Sequence, residues 1–200
     1  GFSAIELNTK SHIDQSVTIK TYREFKTKKK YYISAIELVQ CNLDYKNILD
    51  ISCGLGVLCE LLLEQVQSAN LFAYDFSESC INIVRRNIGN KVQCKIHNIY
   101  EPLTEKFDVI FCTETIEHLL YPENALINIL NGLAEGGTAI ITVPNGKLDT
   151  YENHIYFWSI DSWGVFLNKY IDTTIYDITY GFFYQEQRHM YVRIVKKLKL

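Results

Sequence analysis

Two carboxylates and an imidazole lie close together in the segment Glu114-Thr115-Ile116-Glu117-His118. If this segment is helical, Glu114, Glu117 and His118 share one face, because side chains three and four positions apart are neighbours on a helix. A second histidine, His154, follows later in the chain. Converging carboxylates and imidazoles can bind a divalent metal, or they can form a hydrogen-bonded base that titrates near neutral pH. The sequence predicts His118, His154 and Glu114 as catalytic residues and leaves metal binding by the group open.

A glycine-containing loop lies earlier in the chain, in the segment Asp50-Ile51-Ser52-Cys53-Gly54-Leu55-Gly56. The loop lies between a short apolar run and a leucine-rich run, an order that predicts a strand, a turn and then a helix. Glycines there let the backbone pass close to a ligand, and the helix that follows offers free N–H groups to an anion. Asp75 closes the next apolar run, where an acid accepts hydrogen bonds from ribose hydroxyls. These features favour an adenosine-bearing ligand.

The details of this loop distinguish between two classes of adenosine-bearing ligand. A dinucleotide fingerprint requires a third glycine at the position of Cys59, where a larger side chain blocks close helix–strand packing. Asp50 precedes the loop, and a carboxylate there attracts an ammonium group and a positive centre but repels a pyrophosphate. The loop therefore favours S-adenosylmethionine over NAD.

The elements that must position these residues alternate between strand and helix. The patterns predict strands at 47–51, 70–74, 92–96, 107–112 and 138–143, and helices at 57–66, 77–88 and 122–133. Such alternation indicates βαβ units and a parallel sheet. After a helix at 160–168, two β-rich runs at 171–180 and 190–197 are close enough in sequence to pair antiparallel. The predicted fold is α/β: a Rossmann-like, doubly wound, mostly parallel seven-stranded sheet with a C-terminal antiparallel hairpin.

Several segments, taken in order, resemble the motifs of class I S-adenosylmethionine-dependent methyltransferases. They are Ile48 to Gly56, Ala73 to Ser77, His97 to Ile99, Phe107 to Cys112 and Leu133 to Asn145. The resemblance runs from about Ile48 to about Trp163, with Ser52 in place of the family's first glycine and Asn98 in place of an acid. It implies S-adenosylmethionine as the cofactor, bound by Asp50, Ser52, Cys53, Gly54, Gly56, Asp75, Phe76, Asn98, Ile99 and Thr113.

The Glu-x-x-Glu-His segment, with the later stretch His154-Ile155-Tyr156-Phe157, resembles two methyltransferase subfamilies. One comprises the ubiquinone-pathway and related small-molecule O-methyltransferases. The other comprises small-RNA 3′-end 2′-O-methyltransferases, in which these residue types ligate a metal. The resemblance implies methyl transfer to oxygen or nitrogen of a small molecule, with a divalent metal as a possible cofactor. Metal-assisted methylation of an RNA terminus and a non-catalytic nucleotide-binding module remain alternatives.

Length and composition restrict the partners and the location. The chain has 200 residues and a net charge of −3, which argues against a nucleic-acid partner bound by charge alone. Its hydrophobic fraction of 48% is typical of a globular domain. Six cysteines without a Cys-x-x-Cys pair predict reduced thiols and a cytoplasmic location, and no apolar run predicts a membrane span.

We expect an N-terminal arm and helix over 1–40 and the methyltransferase domain over 41–200. Because this division leaves no separate substrate domain, we expect a small-molecule acceptor.

Overall fold

The computed structural model describes residues 26–39, 45–66, 69–184 and 187–199, with side chains described from Lys30 onward. The first twenty residues, the side chains of Lys26, Lys28 and Lys29, and Cys41 lie outside this part of the chain. The division near residue 40 also lies outside it and stays a prediction.

Seven strands form one mixed sheet in the order β3-β2-β1-β4-β5-β7-β6. The parallel strands are β1 (Asn47–Ile51), β2 (Asn70–Asp75), β3 (Val92–Ile96), β4 (Phe107–Thr113) and β5 (Leu133–Pro144). The hairpin strands are β6 (Tyr176–Phe183) and β7 (His189–Lys196), and β7 runs antiparallel to both β5 and β6. This confirms the doubly wound sheet with a C-terminal hairpin predicted from the alternation of elements.

Helices cover both faces of the sheet. They are α1 (Lys26–Glu37), α2 (Val57–Gln65), α3 (Glu78–Ile88), α4 (Pro122–Gly132) and α5 (Ile160–Tyr170), with 3₁₀ turns at Gly89–Lys91 and Ile116–His118. Local chemistry sets their starts. The Ser77 hydroxyl accepts a hydrogen bond from the Cys80 N–H at the start of α3, and Ser159 and Ser162 form a reciprocal capping box at α5.

Two elements begin more than one residue away from their predicted start. Strand β6 begins at Tyr176 rather than at residue 171, because Asp172 Oδ1 accepts hydrogen bonds from the N–H and the hydroxyl of Thr174 and holds a turn there. Strand β5 begins at Leu133 rather than at residue 138, so that it includes the glycine pair Gly136-Gly137. The pairing shifts between Phe107 opposite Leu133 and Val109 opposite Thr138, so the glycines form an irregularity within the strand.

The core consists of two buried clusters, one on each face of the sheet. Alternate residues of the central strands point to opposite faces, so Leu49 and Ile110 join one cluster while Ile48 and Val109 join the other. Helices α4 and α5 pack on the first cluster, and α1, α2 and α3 pack on the second. Among the described residues, none of the helices combines the length and the apolar composition needed to cross a membrane.

Candidate active site

The carboxyl ends of the parallel strands gather the predicted site residues at one edge of the sheet. Thr113, the last residue of β4, pairs with Thr142 of β5. His189, the first residue of β7, pairs with Pro144 at the end of β5, because β7 runs the opposite way. Ligands of open α/β sheets bind outside the carboxyl ends of the strands, so this edge is the candidate site.

The loop after β1 adopts a backbone that its glycines permit. Gly54 and Gly56 have φ of 52° and 78°, and Ser52 has φ of 61° despite carrying a side chain. A Cβ on Gly56 would lie 2.9 Å from Cγ2 of Val84 in α3, whereas a Cβ on Gly54 would meet nothing within 4 Å. Gly56 therefore serves the packing of a helix, and Gly54 leaves open space beside the loop.

Asp75 holds this loop in place. Its Oδ2 accepts a hydrogen bond from the Gly54 N–H at 2.9 Å, and its Oδ1 accepts one from the Ser77 N–H at 2.8 Å. Asp75 is buried, as are Cys53 and Ile99, while Phe76 is half-buried beside it. The carboxylate thus connects the β1 loop to the start of α3, and the ribose contact implied by the family resemblance stays a prediction.

Asn98 and Thr113 also lie near this edge, with local partners of their own. The side-chain oxygen of Asn98 accepts a hydrogen bond from the Tyr100 N–H at 3.0 Å. The carbonyl of Thr113 accepts one from the Thr115 hydroxyl at 3.0 Å, and Thr113 is buried. An amide oxygen has a second lone pair, so the predicted contact of Asn98 with an adenine amino group remains chemically available.

Asp50 is buried at the start of the same loop without full hydrogen bonding. Its Oδ2 accepts a hydrogen bond from the Cys59 thiol at 3.4 Å, and its Oδ1 has no partner among the described residues. Burial is the main reason that its pKa rises to about 8, and the nearby charge of Asp75 adds to the effect. A cationic group beside Asp50 would compensate the buried charge.

Glu117, His118 and His154 come together above the sheet edge, and this is the group of described residues whose ligand atoms lie within 4.8 Å of one another. Glu117 is fully buried, and neither of its carboxylate oxygens has a hydrogen-bond partner there. Nε2 of His118 and Nε2 of His154 each lie 3.9 Å from Oε1 of Glu117. Burial, followed by the charge of Glu114, raises the pKa of Glu117 well above its usual range.

The backbone around Glu114 differs from the helix that the spacing suggested. Only Ile116–His118 is helical, as a 3₁₀ turn, and Glu114 has φ of 50° in the left-handed region. The expectation that Glu114 shares one helix face with Glu117 and His118 is therefore wrong. The carboxylate of Glu114 instead accepts a hydrogen bond from the Thr142 hydroxyl at 2.9 Å and lies 3.0 Å from Nδ1 of His189.

Two further side chains contact predicted site residues, and the sequence prediction missed both. Nδ1 of His154 bonds to the carboxylate of Asp149, which lies in the same loop after β5. His189 bonds to Glu114 from the start of β7. Asp149 has a signal in the sequence, an acid five positions before the candidate histidine. His189 follows from the antiparallel direction of the predicted hairpin, which returns its second strand to the active edge.

Aromatic side chains surround the histidine pair. The rings of His118 and His154 contact edge to face at 4.4 Å between centroids. The Tyr151 ring lies 4.9 Å from His154, and the Phe157 ring lies 6.1 Å from it. Tyr151 and Phe157 are both about half exposed, at 46% and 48%. They form a partly open apolar rim beside the polar cluster, which is a composition typical of small-molecule pockets.

A family model described as "Methyltransferase domain" matches residues 22–191 of the chain. The chain belongs to this methyltransferase family. The match, together with the sheet order, confirms the predicted membership of the class I S-adenosylmethionine-dependent methyltransferases and, with it, the prediction of an enzyme family.

Known proteins similar to this methyltransferase include enzymes with different acceptors. It is 28% identical over 117 residues to a ubiquinone biosynthesis O-methyltransferase of Coxiella burnetii, covering 56% of this chain and 49% of the relative. The chain thus spans about half the length of the curated relatives it matches.

Solved structures show the same fold. The plantazolicin methyltransferase BpumL, crystallised with SAH and a desmethylPZN analog, superimposes with a TM-score of 0.71 at 15% identity, covering 94% of both chains. The methyltransferase domain of bacterial CtHen1-CN superimposes with a TM-score of 0.68 at 15% identity, covering 84% of this chain and 98% of that one.

Proposed function

We propose that this methyltransferase transfers the methyl group of S-adenosylmethionine to an oxygen atom of a small-molecule acceptor held at the Glu117–His118–His154 cluster. The observation that carries the proposal is Glu117, fully buried with both carboxylate oxygens unpartnered among the described residues and with two imidazole nitrogens 3.9 Å away. Burying such a carboxylate without a partner is costly, so a ligand that engages it is the physical reason for the arrangement.

The β1 loop fits the methyl donor. Space beside Gly54 admits a ligand close to the backbone, and the unpartnered Oδ1 of Asp50 is a buried acceptor for a positive group. S-adenosylmethionine carries both an ammonium group and a sulfonium. The similarity of this chain's fold to that of a methyltransferase crystallised with SAH supports S-adenosylmethionine as the donor here. Bound at this loop, S-adenosylmethionine supplies a methyl group that its sulfonium has already activated.

The cluster also fits a divalent metal. Two imidazole nitrogens and one carboxylate are a common ligand set for borderline transition metals. Asp149 accepts the Nδ1 proton of His154 and so directs the Nε2 lone pair toward Glu117, which is the usual support for a metal-bound histidine. Glu117, His118 and His154 would hold the ion, which would lower the pKa of an acceptor hydroxyl.

The chain's own residues supply alignment and exclusion of water. The β1 loop fixes the donor, and the rim of Tyr151 and Phe157 encloses an acceptor on the side of the histidines. Aligning a nucleophile behind an activated methyl contributes about 7–11 kcal/mol to lowering a barrier. Deprotonation of the acceptor adds about 10²–10⁴-fold in rate. Oxygen is favoured over nitrogen as the acceptor because metal-assisted deprotonation helps a hydroxyl most.

Separate reactions with defined acceptors test this proposal. The chain is incubated with S-adenosylmethionine and with catechol, phenol, aniline or an RNA oligonucleotide, each with Mn²⁺ or with EDTA, and SAH formation is measured by mass spectrometry. We expect SAH and a methylated product with catechol or phenol, and loss of both in EDTA. Turnover with aniline alone indicates nitrogen transfer, and turnover with RNA alone indicates the RNA alternative.

A metal titration tests the cluster without an acceptor. Free Mn²⁺ is followed by electron paramagnetic resonance as protein is added, and Glu117→Gln is compared with Glu152→Gln, an exposed glutamate of the neighbouring loop. We expect Mn²⁺ binding in the unchanged chain and in Glu152→Gln, and loss of at least about tenfold in affinity in Glu117→Gln. Equal Mn²⁺ affinity in all three proteins contradicts metal binding at the cluster.

The non-catalytic alternative has an outcome of its own. SAH binding measured by calorimetry, together with no product from any acceptor, supports a non-catalytic binding module. The five cysteines in the described part of the chain are free thiols, in keeping with a cytoplasmic location, which stays a prediction.

A further inference from the structure

His189 lies at the active edge although it is far from the other site residues in the sequence. It begins β7 and pairs with Pro144 at the end of β5, beside the end of β4 where Glu114 lies. Its side chain is 32% exposed, so the ring is neither sealed in the core nor fully solvated. The histidine thus stands next to the strand ends that carry the methyl-transfer site, on the side away from β1.

Glu114 is held in one orientation by Thr142. The Glu114 N–H donates to the Thr142 carbonyl at 3.0 Å and to its hydroxyl at 3.1 Å, and that hydroxyl donates to Glu114 Oε1 at 2.9 Å. Thr142 is fully buried. Glu114 also keeps φ at 50°, a conformation that costs about 1 kcal/mol or more for a residue with a side chain. These contacts direct Oε2 of Glu114 to His189.

Two contacts with described residues orient the imidazole of His189. Its Nδ1 lies 3.0 Å from Oε2 of Glu114. The ring of Tyr31, a buried residue of α1, stacks on it at 4.7 Å between centroids with 19° between the planes. An ionised carboxylate can only accept hydrogen bonds, so Nδ1 carries the proton in this pair, and the lone pair of the neutral ring is on Nε2.

We propose that His189 is the general base of the methyl transfer and that Glu114 is its positioning residue. This inference rests on the proposed function, because it needs an acceptor with a removable proton. In the step, the acceptor O–H proton moves to Nε2 of His189 while the oxygen forms a bond to the methyl carbon. The carbon–sulfur bond breaks with its electron pair on sulfur, and the products are the methyl ether, SAH and protonated His189. The Glu114 carboxylate stabilises the imidazolium that forms.

This assignment separates two groups of residues that the sequence placed together. Glu117, His118 and His154 bind and polarise the acceptor, and Glu114 positions His189 of β7, which lies two strands away from β4 in the sheet. It also gives α1 a role in the chemistry, since the Tyr31 ring holds the plane of the base. Glu114 facing Nδ1 and Tyr31 facing the ring are the titratable side chains through which α1 and the β4 end contact His189.

A nitrogen NMR experiment tests the pair without an acceptor. In protein labelled with ¹⁵N-histidine, long-range proton–nitrogen correlations report the tautomer of each neutral ring. We expect His189, assigned from the His189→Asn spectrum, to carry its proton on Nδ1, and we expect Glu114→Gln to change that tautomer population. A proton on Nε2 of His189 in the unchanged protein overturns the proposal.

Turnover tests the catalytic role. His189→Asn keeps an amide N–H near the position of Nδ1 for Glu114 but has no basic nitrogen, and Asp177→Asn, an exposed carboxylate of β6, is the control. With catechol as acceptor, we expect kcat to fall about 10²–10⁴-fold in His189→Asn. We also expect the decrease of kcat at acidic pH, which protonation of the base causes in the unchanged protein, to disappear in this variant. In Glu114→Gln we expect a fall of about tenfold or more.

The same measurements distinguish this inference from the proposed function. SAH affinity by calorimetry and Mn²⁺ affinity should stay unchanged in His189→Asn, because His189 acts on the acceptor. If the unchanged protein methylates catechol and His189→Asn does so at the same rate, the base assignment is overturned and the proposed function stands. Absence of turnover by the unchanged protein on every acceptor overturns the proposed function, and the base assignment that rests on it.

Discussion

Asp50 combines complete burial with one carboxylate oxygen that has no partner among the described residues. Its pKa of about 8 means that the carboxyl is mostly protonated in the free protein at neutral pH. A donor that brings an ammonium group and a sulfonium interacts best with the ionised form, so donor binding releases a proton. The affinity for a cationic donor should therefore depend on pH in a way that an ordinary aspartate would not produce.

We predict that S-adenosylmethionine binds more weakly below pH 8, by about tenfold per pH unit where binding releases one proton. Calorimetry between pH 6 and 9 measures this slope, and Asp50→Asn should flatten it while lowering the affinity at pH 9. A flat profile in the unchanged protein contradicts the proposed role of Asp50.

Folding stability gives an independent check on the same carboxyl. A raised pKa in the folded state means stability that is present below the unfolded pKa of about 3.9 and lost as pH rises toward 8. Asp50→Asn should thus raise the melting temperature at pH 8 more than at pH 5. An equal change at both pH values indicates that Asp50 is not protonated in the fold.

The β1 loop, as an element, uses its two glycines for different purposes. Gly56 faces Val84 and Ile88 of α3, with 2.9 Å and 3.2 Å between a built Cβ and their methyl carbons, while Gly54 faces open space. A Cβ on Gly56 must displace side chains of α3, whereas a Cβ on Gly54 would fill the space in which we propose that the donor binds. Both positions have positive φ, so the backbone cost is common to the two substitutions.

We predict that Gly56→Ala lowers the free energy of unfolding by about 1–3 kcal/mol more than Gly54→Ala does. Gly54→Ala should retain most of the stability and lose SAH affinity. Urea unfolding and calorimetry on the two variants check this division, for which each variant is the other's control. Equal losses of stability would show that the shared backbone strain outweighs the packing against α3.

At the same scale, the elements were predictable where a local pattern decides them. Ser77 and Pro122 mark helix starts, and alternating apolar runs mark the strands, because these signals depend on neighbours in the sequence. The turn at Asp172 replaced the predicted beginning of a strand because side-chain hydrogen bonds overrode β propensity. Glu114 does not share a helix face with Glu117 and His118, because its carboxylate contacts Thr142 and His189, which are distant in the sequence.

The candidate site was predictable in its residue types more than in its pairings. The meeting of Glu117, His118 and His154 follows from their positions after β4 and β5. The contact between Glu114 and His189 required the direction of the last strand, and the stack of Tyr31 on His189 required the packing of α1. Such pairings depend on the assembled sheet, which no local signal in the chain encodes.

Across the whole molecule, α1 is connected to the C-terminal hairpin. Arg193 of β7 donates from Nε to the Leu38 carbonyl just after α1 at 2.9 Å, and the Tyr184 hydroxyl donates to the Lys30 carbonyl at 2.8 Å. Tyr31 and Tyr32 also lie in the buried cluster that contains Cys53 of the β1 loop and Val57 of α2. The hairpin therefore supports the β1 loop through α1.

We predict that Arg193→Met speeds amide hydrogen exchange in α1 and lowers the free energy of unfolding by about 1 kcal/mol, the worth of one partly buried hydrogen bond. Lys197→Met, which removes an ion pair with Asp177 at the end of the same hairpin, is the control. Exchange measured by mass spectrometry should change in α1 for the first variant alone. Unchanged exchange there would show that the cluster around Tyr31 holds α1 without the arginine.

The reversed direction of β7 has a consequence for how such a domain can be altered. Five parallel strands end at the candidate active edge, and the sixth strand in the sheet order, β7, begins there. A segment near the end of the chain thereby lies beside residues from the middle of the chain. Exchanging this terminal hairpin between related proteins should therefore replace His189 while leaving Glu117, His118 and His154 in place.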